Sequence, residues 1–402
     1  MDPDDSQSQT DETLFVANFN ERFFDIPQFD VRVRRRELVQ QIENLVVQVV
    51  GAISRGEKPS FRYDDGRDSG WSSCSSGQQS SCGGNSDFPT NSSDSKKLKY
   101  TGTKSKQRFA VVMRVLSHAH ANLVKYLENK DGIEEDEFYC TKRAFFYSLK
   151  NEDCKRFVKK QERVEWAINE ATLLLDCGPW DLGFISTSKG LVSGDLSLHF
   201  GESRVINYEA STSLAVPDVV PNVTRIRTTA EYVLVVEKDS VFQKLLREQC
   251  PAFNRCILIT GKGYPDIATR MLVNLLSEKA QLPVYALVDH NPHGFEIMCV
   301  YRFGTLNNLG YREQLLCPSM RWIGVHQKDL IELNIPRIKM TKGDLKKIDD
   351  MKNRSYISDE FYNHLMESRS LGKAEIESIN NPMKRFLTER FIPSKILNKD
   401  FL

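Results

Sequence analysis

Tyr232-Val-Leu-Val-Val236, Cys256-Ile-Leu-Ile259 and Val284-Tyr-Ala-Leu-Val288 are unbroken apolar runs of strand length, and their reading decides the fold. A strand with no polar alternation is buried on both faces, as in a parallel sheet covered by helices. Trp322-Ile-Gly-Val325 is a candidate fourth run. Helices are expected between the runs, near 239–249, 265–280 and 293–302, so this half of the chain reads as βαβ units. Polar turns follow the strands: Glu237-Lys-Asp, Thr260-Gly-Lys-Gly-Tyr-Pro-Asp and Asp289-His-Asn-Pro-His-Gly. Ligands gather at that edge of an open α/β sheet. Taken singly, a carboxylate in such a turn is read as a helix cap. Glu237 and Asp289 together, with a basic region upstream, read as hard oxygen ligands for Mg2+. His290 and His293 read as turn or surface residues. Lys262, Tyr264 and Arg270 lie beside the same edge, a basic and aromatic mixture suited to DNA contact, with packing an equal reading for Tyr264. Neither G-x-G-x-x-G nor G-x-x-x-x-G-K-[ST] occurs, so no ATP site is expected in this chain.

Upstream the texture changes. Residues 1–30 read as an acidic flexible tail with scattered aromatics. Leu38, Ile42, Leu45, Val46, Val49 and Ile53 then recur at helical spacing, and Gly56 and Pro59 end the pattern. This 31–58 helix opens with Arg32, Arg34, Arg35 and Arg36, the wrong charge for a helix N-terminus, so those arginines need partners elsewhere or form a nuclear-localisation-like patch. Residues 59–95 form a linker whose Ser, Gly, Asn and Asp cannot bury enough surface to order it. A helix tethered before such a linker is expected to offer Leu38, Ile42, Leu45 and Val49 to a partner, against an equal reading of ordinary core. From Lys96 to Tyr126 there is no acidic residue, and the one-signed run favours polyanion contact over a merely solvated face. Helices are expected within that run, near Thr141–Leu149 and near Phe157–Leu175, followed by a β-hairpin over Gly183–Gly194. Three helices and a hairpin are the order of a winged-helix domain, placed at 96–205, with the α/β domain and C-terminal helices at 206–402.

The chain has 402 residues, 40% apolar and 27% charged, which rules out a fully disordered protein and gives a prior of two or three domains. Lys plus Arg number 55 and Asp plus Glu 54, so any nucleic-acid site must come from local segregation of charge. No apolar run reaches membrane-spanning length, and from the acidic start no secretory or transit peptide is expected. Nine cysteines without C-x-x-C spacing fit reduced thiols in an intracellular compartment.

Arg143 and Tyr147 are four residues apart and share a helix face. A guanidinium beside a phenol can bind phosphate and favour the phenolate that attack requires. Phe145 and Phe146 read as core. Thr141-Lys-Arg…Tyr147, Ser188-Lys-Gly-Leu-Val-Ser-Gly194, Val235-Val-Glu-Lys238, Ile259-Thr-Gly-Lys-Gly263 and Val288-Asp…Asn-Pro-His-Gly294 occur in one order. Together they resemble the meiotic DNA double-strand-break transesterases, eukaryotic relatives of the archaeal topoisomerase VI A-subunit. The likeness runs from about residue 35 to Phe391-Ile-Pro-Ser-Lys-Ile396.

The resemblance implies a winged-helix domain of the catabolite-activator type followed by a Toprim domain. It implies Tyr147 as nucleophile, Arg143 as its phosphate-binding helper, and a 5′-phosphotyrosyl product made without ATP. It further implies Mg2+ at Glu237 and Asp289, and Lys189, Lys262, Tyr264 and Arg270 on double-stranded DNA. Implied partners are a second copy, whose metal faces this chain's tyrosine, meiotic accessory proteins and a topoisomerase VI B-like subunit. The implied location is the nucleus, on meiotic chromosomes. One position departs from the family pattern: Asn291 stands where an Asp is usual, so fewer or weaker metals are expected, with the Asn291 amide as a third ligand. The tyrosine pair common in the family is here Phe146-Tyr147. The alternatives are a type IIB topoisomerase A-subunit that reseals its breaks and a catalytically silent DNA-binding scaffold.

Overall fold

The computed structural model describes residues 21–27, 31–63, 96–128, 135–150, 153–202, 204–379 and 382–402. The acidic segment 1–20 and the Ser-rich 64–95 lie outside the described residues.

The apolar runs form β11 (Tyr232–Val236), β12 (Cys256–Thr260), β13 (Val284–Leu287) and β14 (Arg321–Gly324). With β6 (Leu191–Ser193) and β9 (Leu214–Ala215) they make a six-stranded sheet of order β14-β13-β11-β12-β6-β9. β11 runs parallel to β12 and β13, and β13 parallel to β14, while β6 and β9 are antiparallel additions. Val233, Val235, Ile257 and Ile259 are buried in one core, and Leu234, Val236, Leu258 and Leu287 in another. Alternate residues thus enter two cores on opposite faces, which is why the runs show no polar period. Helices α8 (Ile267–Glu278) and α9 (Pro292–Phe303) cover one face. Helices α6 (Asp239–Arg247) and α7 (Cys250–Asn254) serve the other, with α10 (Gln327–Glu332) and α13 (Ile392–Leu397). Helices α11 (Lys342–Lys352) and α12 (Asp359–Leu371) pack outside α9. The register aligns Val236 with Thr260 and with Leu287, so the turns that follow these strands emerge level with one another.

A separate core joins α1 (Val31–Ser54), α2 (Thr103–Glu128), α3 (Glu135–Phe138), α4 (Lys142–Lys150) and α5 (Gln161–Leu175). The arginines that open α1 find partners at the ends of other helices. Arg32 donates to Leu127 O at 3.1 Å, in the last turn of α2, and Arg34 donates to Asp176 O at 2.7 Å, just past α5. Helix C-termini carry partial negative charge, so a cationic N-terminus is compensated across the bundle. Arg35 is buried, its guanidinium 3.7 Å from the Tyr126 ring centroid and 3.9 Å from that of Phe138.

Several expectations need correction. Leu38 and Ile42 are buried against this core and Leu45 and Val49 are packed on it, because α1 docks on α2; the outward apolar residues of its second half are Val46, Val47, Val50 and Ile53. The 59–95 linker is shorter, since β2 (Ser60–Tyr63) pairs with β3 (Lys96–Lys99). The tail contains β1 (Arg22–Asp25), which pairs with β10 (Arg225–Thr228). With β7 (Leu196–Phe200) and β8 (Arg204–Tyr208) they form a four-stranded sheet of order β1-β10-β7-β8. The Gly183–Gly194 segment is no hairpin. β5 (Phe184–Ile185) pairs in parallel with β4 (Cys140–Thr141), and β6 joins the large sheet. A Cβ at Gly190 would stand 2.2 Å from Thr269 Oγ1, so that glycine serves close approach to α8 rather than a turn. The hairpin that does form is β7 with β8, and a domain boundary after residue 205 falls inside β8.

Beyond β14, His326 is buried, with Nε2 bonded to Trp322 O at 3.0 Å and Nδ1 3.4 Å from Lys395 Nζ. Asp400 lies 3.7 Å from Nδ1, and His364 packs nearby. Burial, then the facing ammonium, lowers the His326 pKa from 6.5 to about 3. Its folded value lies below the unfolded one, so the neutral ring's contribution is complete above pH 6.5 and is lost as pH falls toward about 3. Melting temperature is therefore expected to drop from about pH 7 to about pH 5, and His326→Asn to flatten that drop. Parallel profiles for the two proteins would remove His326 from the acid response.

Candidate active site

Helix α4 begins where Thr141 Oγ1 accepts the Ala144 N–H at 3.1 Å. Phe145, Phe146 and Leu149 face the core, which turns Arg143 and Tyr147 outward. Tyr147 is 49% exposed, and its ring lies 5.9 Å from the Arg143 guanidinium and 5.8 Å from Lys150 Nζ. The expected pairing of phenol and guanidinium on one face is therefore present, with a second cation beside it.

At the sheet edge Glu237 follows β11 and Asp289 follows β13 by one residue, both buried. The Asp289 N–H donates to Glu237 Oε2 at 2.9 Å, and the Ile376 N–H donates to Asp289 Oδ1 at 2.9 Å. Burial, then the Asp289 charge, raises the Glu237 pKa to about 7, and burial raises that of Asp289. Gly294 makes this approach possible: a Cβ there would stand 2.5 Å from Asp289 O and 2.9 Å from Glu237 Oε2. Lys238 supplies the cation present, its Nζ 2.9 Å from Asp289 Oδ2, 2.8 Å from Glu375 Oε2 and 2.7 Å from Glu377 Oε2. Burial opposes that ammonium, but the carboxylates around it hold its pKa above the ordinary lysine range. Two buried carboxylates joined through the Asp289 N–H, one of them already holding a cation, are a donor set that fits Mg2+, which takes one or two carboxylates and completes its shell with water and phosphate. Among the described residues no group of three His, Cys, Asp or Glu side chains could hold a metal alone.

Asn291 has another task. Its Oδ1 accepts the N–H groups of His293 at 2.9 Å and Gly294 at 2.8 Å, capping α9, and Nδ2 donates to Asp289 Oδ2 at 3.4 Å. With both lone pairs engaged, the amide oxygen is not free to act as the expected third ligand.

The DNA-contact candidates divide. Lys189 and Lys262 are exposed; the Lys189 N–H donates to Asp266 Oδ2 at 2.8 Å, fixing its loop at the start of α8. Arg270 is buried on α8 against Tyr301 and Tyr311, and burial lowers its pKa to about 10, so it does not face the surface. The Tyr264 hydroxyl donates to Glu296, which also receives Lys347, and from Arg354 at 2.8 Å. Tyr264 thus serves an internal network. Sequence reading misses Lys238, Glu375 and Glu377. Lys238 is visible beside Glu237, but nothing local points from it to acids more than a hundred residues away.

A family model for the Toprim domain of Spo11 and the topoisomerase 6 A-subunit matches residues 232–396, the span holding Glu237, Asp289 and Glu375. The human (Homo sapiens) meiotic recombination protein SPO11 is 32% identical over 374 residues, covering 90% of this chain and 87% of that protein. The chain belongs to the Spo11 and topoisomerase VI A-subunit family. Within that family, the Drosophila melanogaster meiotic recombination protein W68 is 36% identical, covering 77% of this chain and 89% of its own. The A3 subunit of DNA topoisomerase 6 from rice (Oryza sativa subsp. indica) is 30% identical, covering 74% and 65%.

Proposed function

We propose that this chain is a topoisomerase-like DNA transesterase that makes meiotic double-strand breaks and remains linked to the ends. The observation that carries the reading is the exposed Tyr147 beside Arg143 in a Spo11-family chain whose Toprim edge holds paired carboxylates. The Tyr147 hydroxyl loses its proton and attacks a backbone phosphorus; the new O–P bond replaces the bond to the 3′ oxygen, which leaves and takes up a proton. The products are a 5′-phosphotyrosyl end and a 3′-hydroxyl, with the phosphodiester energy retained. Arg143 and Lys150 offset phosphate charge as the phenol approaches. Mg2+ held by Glu237 and Asp289 would anchor a phosphate oxygen and offset charge on the leaving oxygen. Asn291 acts on this site through the α9 cap.

Among the described residues the ring of Tyr147 contacts Phe146, Arg143 and Lys150, and none of these is a hydrogen-bond or ion-pair partner of Glu237 or Asp289. This separation supports a working dimer in which each tyrosine meets the carboxylates of the other protomer. We assign α2, α4 and α5 to a winged-helix-type DNA-binding unit, with Lys189 and Lys262 on double-stranded DNA. A topoisomerase VI B-like subunit docks on the Val46, Val47, Val50 and Ile53 face of α1. Meiotic accessory proteins complete the assembly on chromosomes in the nucleus.

The test is recovery of protein-linked DNA ends from meiotic cells. Ends linked through their 5′ phosphates are expected. DNA that is bound but never covalently held, in cells that still form breaks, would make the chain a scaffold.

A further inference from the structure

Lys238 takes no part in attack or departure, yet its ammonium sits where Asp289, Glu375 and Glu377 meet. We propose that this ammonium is an internal placeholder for the divalent cation: it neutralises Asp289 while the metal is absent and is drawn onto Glu375 and Glu377 when the metal binds. The idea rests on the assignment of Glu237 and Asp289 as Mg2+ ligands.

The geometry divides the three acids into two kinds. The Asp289 side chain is 1% exposed, and a buried carboxylate without a counter-charge is costly, so a cation must be near it in every state. Glu375 and Glu377 are 44% and 42% exposed, where water already meets part of their solvation. They flank Ile376, whose N–H holds the other oxygen of Asp289, so the buried acid and its two exposed neighbours are fixed to one short segment. The Ser240 hydroxyl donates to Glu377 Oε1, which keeps that carboxylate in reach. Lys238 itself sits in extended backbone at the start of α6 on a long flexible stem, able to release Asp289 and stay with the exposed pair without moving β11. An ammonium and a divalent cation cannot share Asp289 Oδ2, because like charges that close repel strongly.

Exchange of this kind gives substitutions opposite signs. Lys238→Met removes the competitor and is expected to tighten divalent-cation binding by about tenfold. Glu375→Gln with Glu377→Gln removes the place to which the ammonium retreats and is expected to weaken binding by about tenfold. In the Lys238→Met background the same acid substitutions are expected to change affinity less than about twofold, since there is no ammonium left to relocate.

The experiment is Mn2+ titration of the full chain by electron paramagnetic resonance, with Mg2+ competition and thermal melts alongside. Weaker binding in Lys238→Met would make the ammonium a strut for Asp289 and overturn the proposal. An undiminished effect of the acid substitutions in that background would mean that they act on the metal directly, and would overturn it too. A wild-type chain that binds no Mn2+, or that binds it equally after Glu237→Gln, would instead bring down the metal assignment itself. Should Lys238→Met fail to fold, Lys238→Gln, which can donate to Asp289 without charge, carries the same expectation.

Discussion

Tyr147→Phe is expected to reduce protein-linked DNA ends to background, a loss of at least about a thousandfold, because in the proposed mechanism it deletes the atom that attacks phosphorus. The fold has little reason to respond. The ring is 49% exposed, its contacts with Phe146, Arg143 and Lys150 are made by carbon atoms that phenylalanine keeps, and its hydroxyl makes no hydrogen bond to the described residues. A change in stability within about 0.5 kcal/mol is therefore expected. Unchanged melting with lost linkage separates chemistry from folding. Linked ends that persist in the mutant would move the nucleophile elsewhere.

Gly294→Val is expected to disable the other half of the site. Even the first carbon of the new side chain would press on Asp289 O at 2.5 Å and Glu237 Oε2 at 2.9 Å, and neither can retreat, since Asp289 also accepts from Ile376 and Glu237 from Asp289. Overpacking of this kind costs about 1–3 kcal/mol. The greater effect falls on divalent-cation binding, which should weaken by more than about tenfold as the carboxylates are forced apart. Thermal melts and a Mn2+ titration read the two effects separately. A valine variant that binds Mn2+ as the wild type does would mean that the β13–α9 turn relaxes freely and that Gly294 does not set the site.

The sheet and its edge are legible because parallel strands buried on both faces leave unbroken apolar runs, and each run carries its turn with it. Tyr147 and Arg143 are legible for a similar reason: a four-residue spacing on a helix is a statement about one face. What escapes depends on distant partners. β1 pairs with a strand about 200 residues away and β2 with one beyond residue 95, so neither shows in local composition. The stripe of α1 names its core residues rather than its open face, because apolar side chains occupy more than half of that helix's circumference and periodicity cannot say which part meets α2. Arg270 reads as surface because it is charged, while α8 is buried and packs against the turn around Tyr311. Asn291 reads as a ligand until the backbone N–H groups that claim its oxygen come into view.

The β1 strand packs on the core of the sheets, while the next helix in sequence belongs to the helical core. It lies along β10, Ile26 continues the ladder by donating to Thr224 O at 2.8 Å, and α1 begins at Val31 inside the helical unit. A chain shortened to start at α1 would lose more than a tail. It would leave β10 as a bare edge with unpaired N–H and C=O groups, a template for sticking to any extended segment that arrives. Insolubility or spurious self-association in such a shortened protein would then report this exposed ladder and say nothing about DNA.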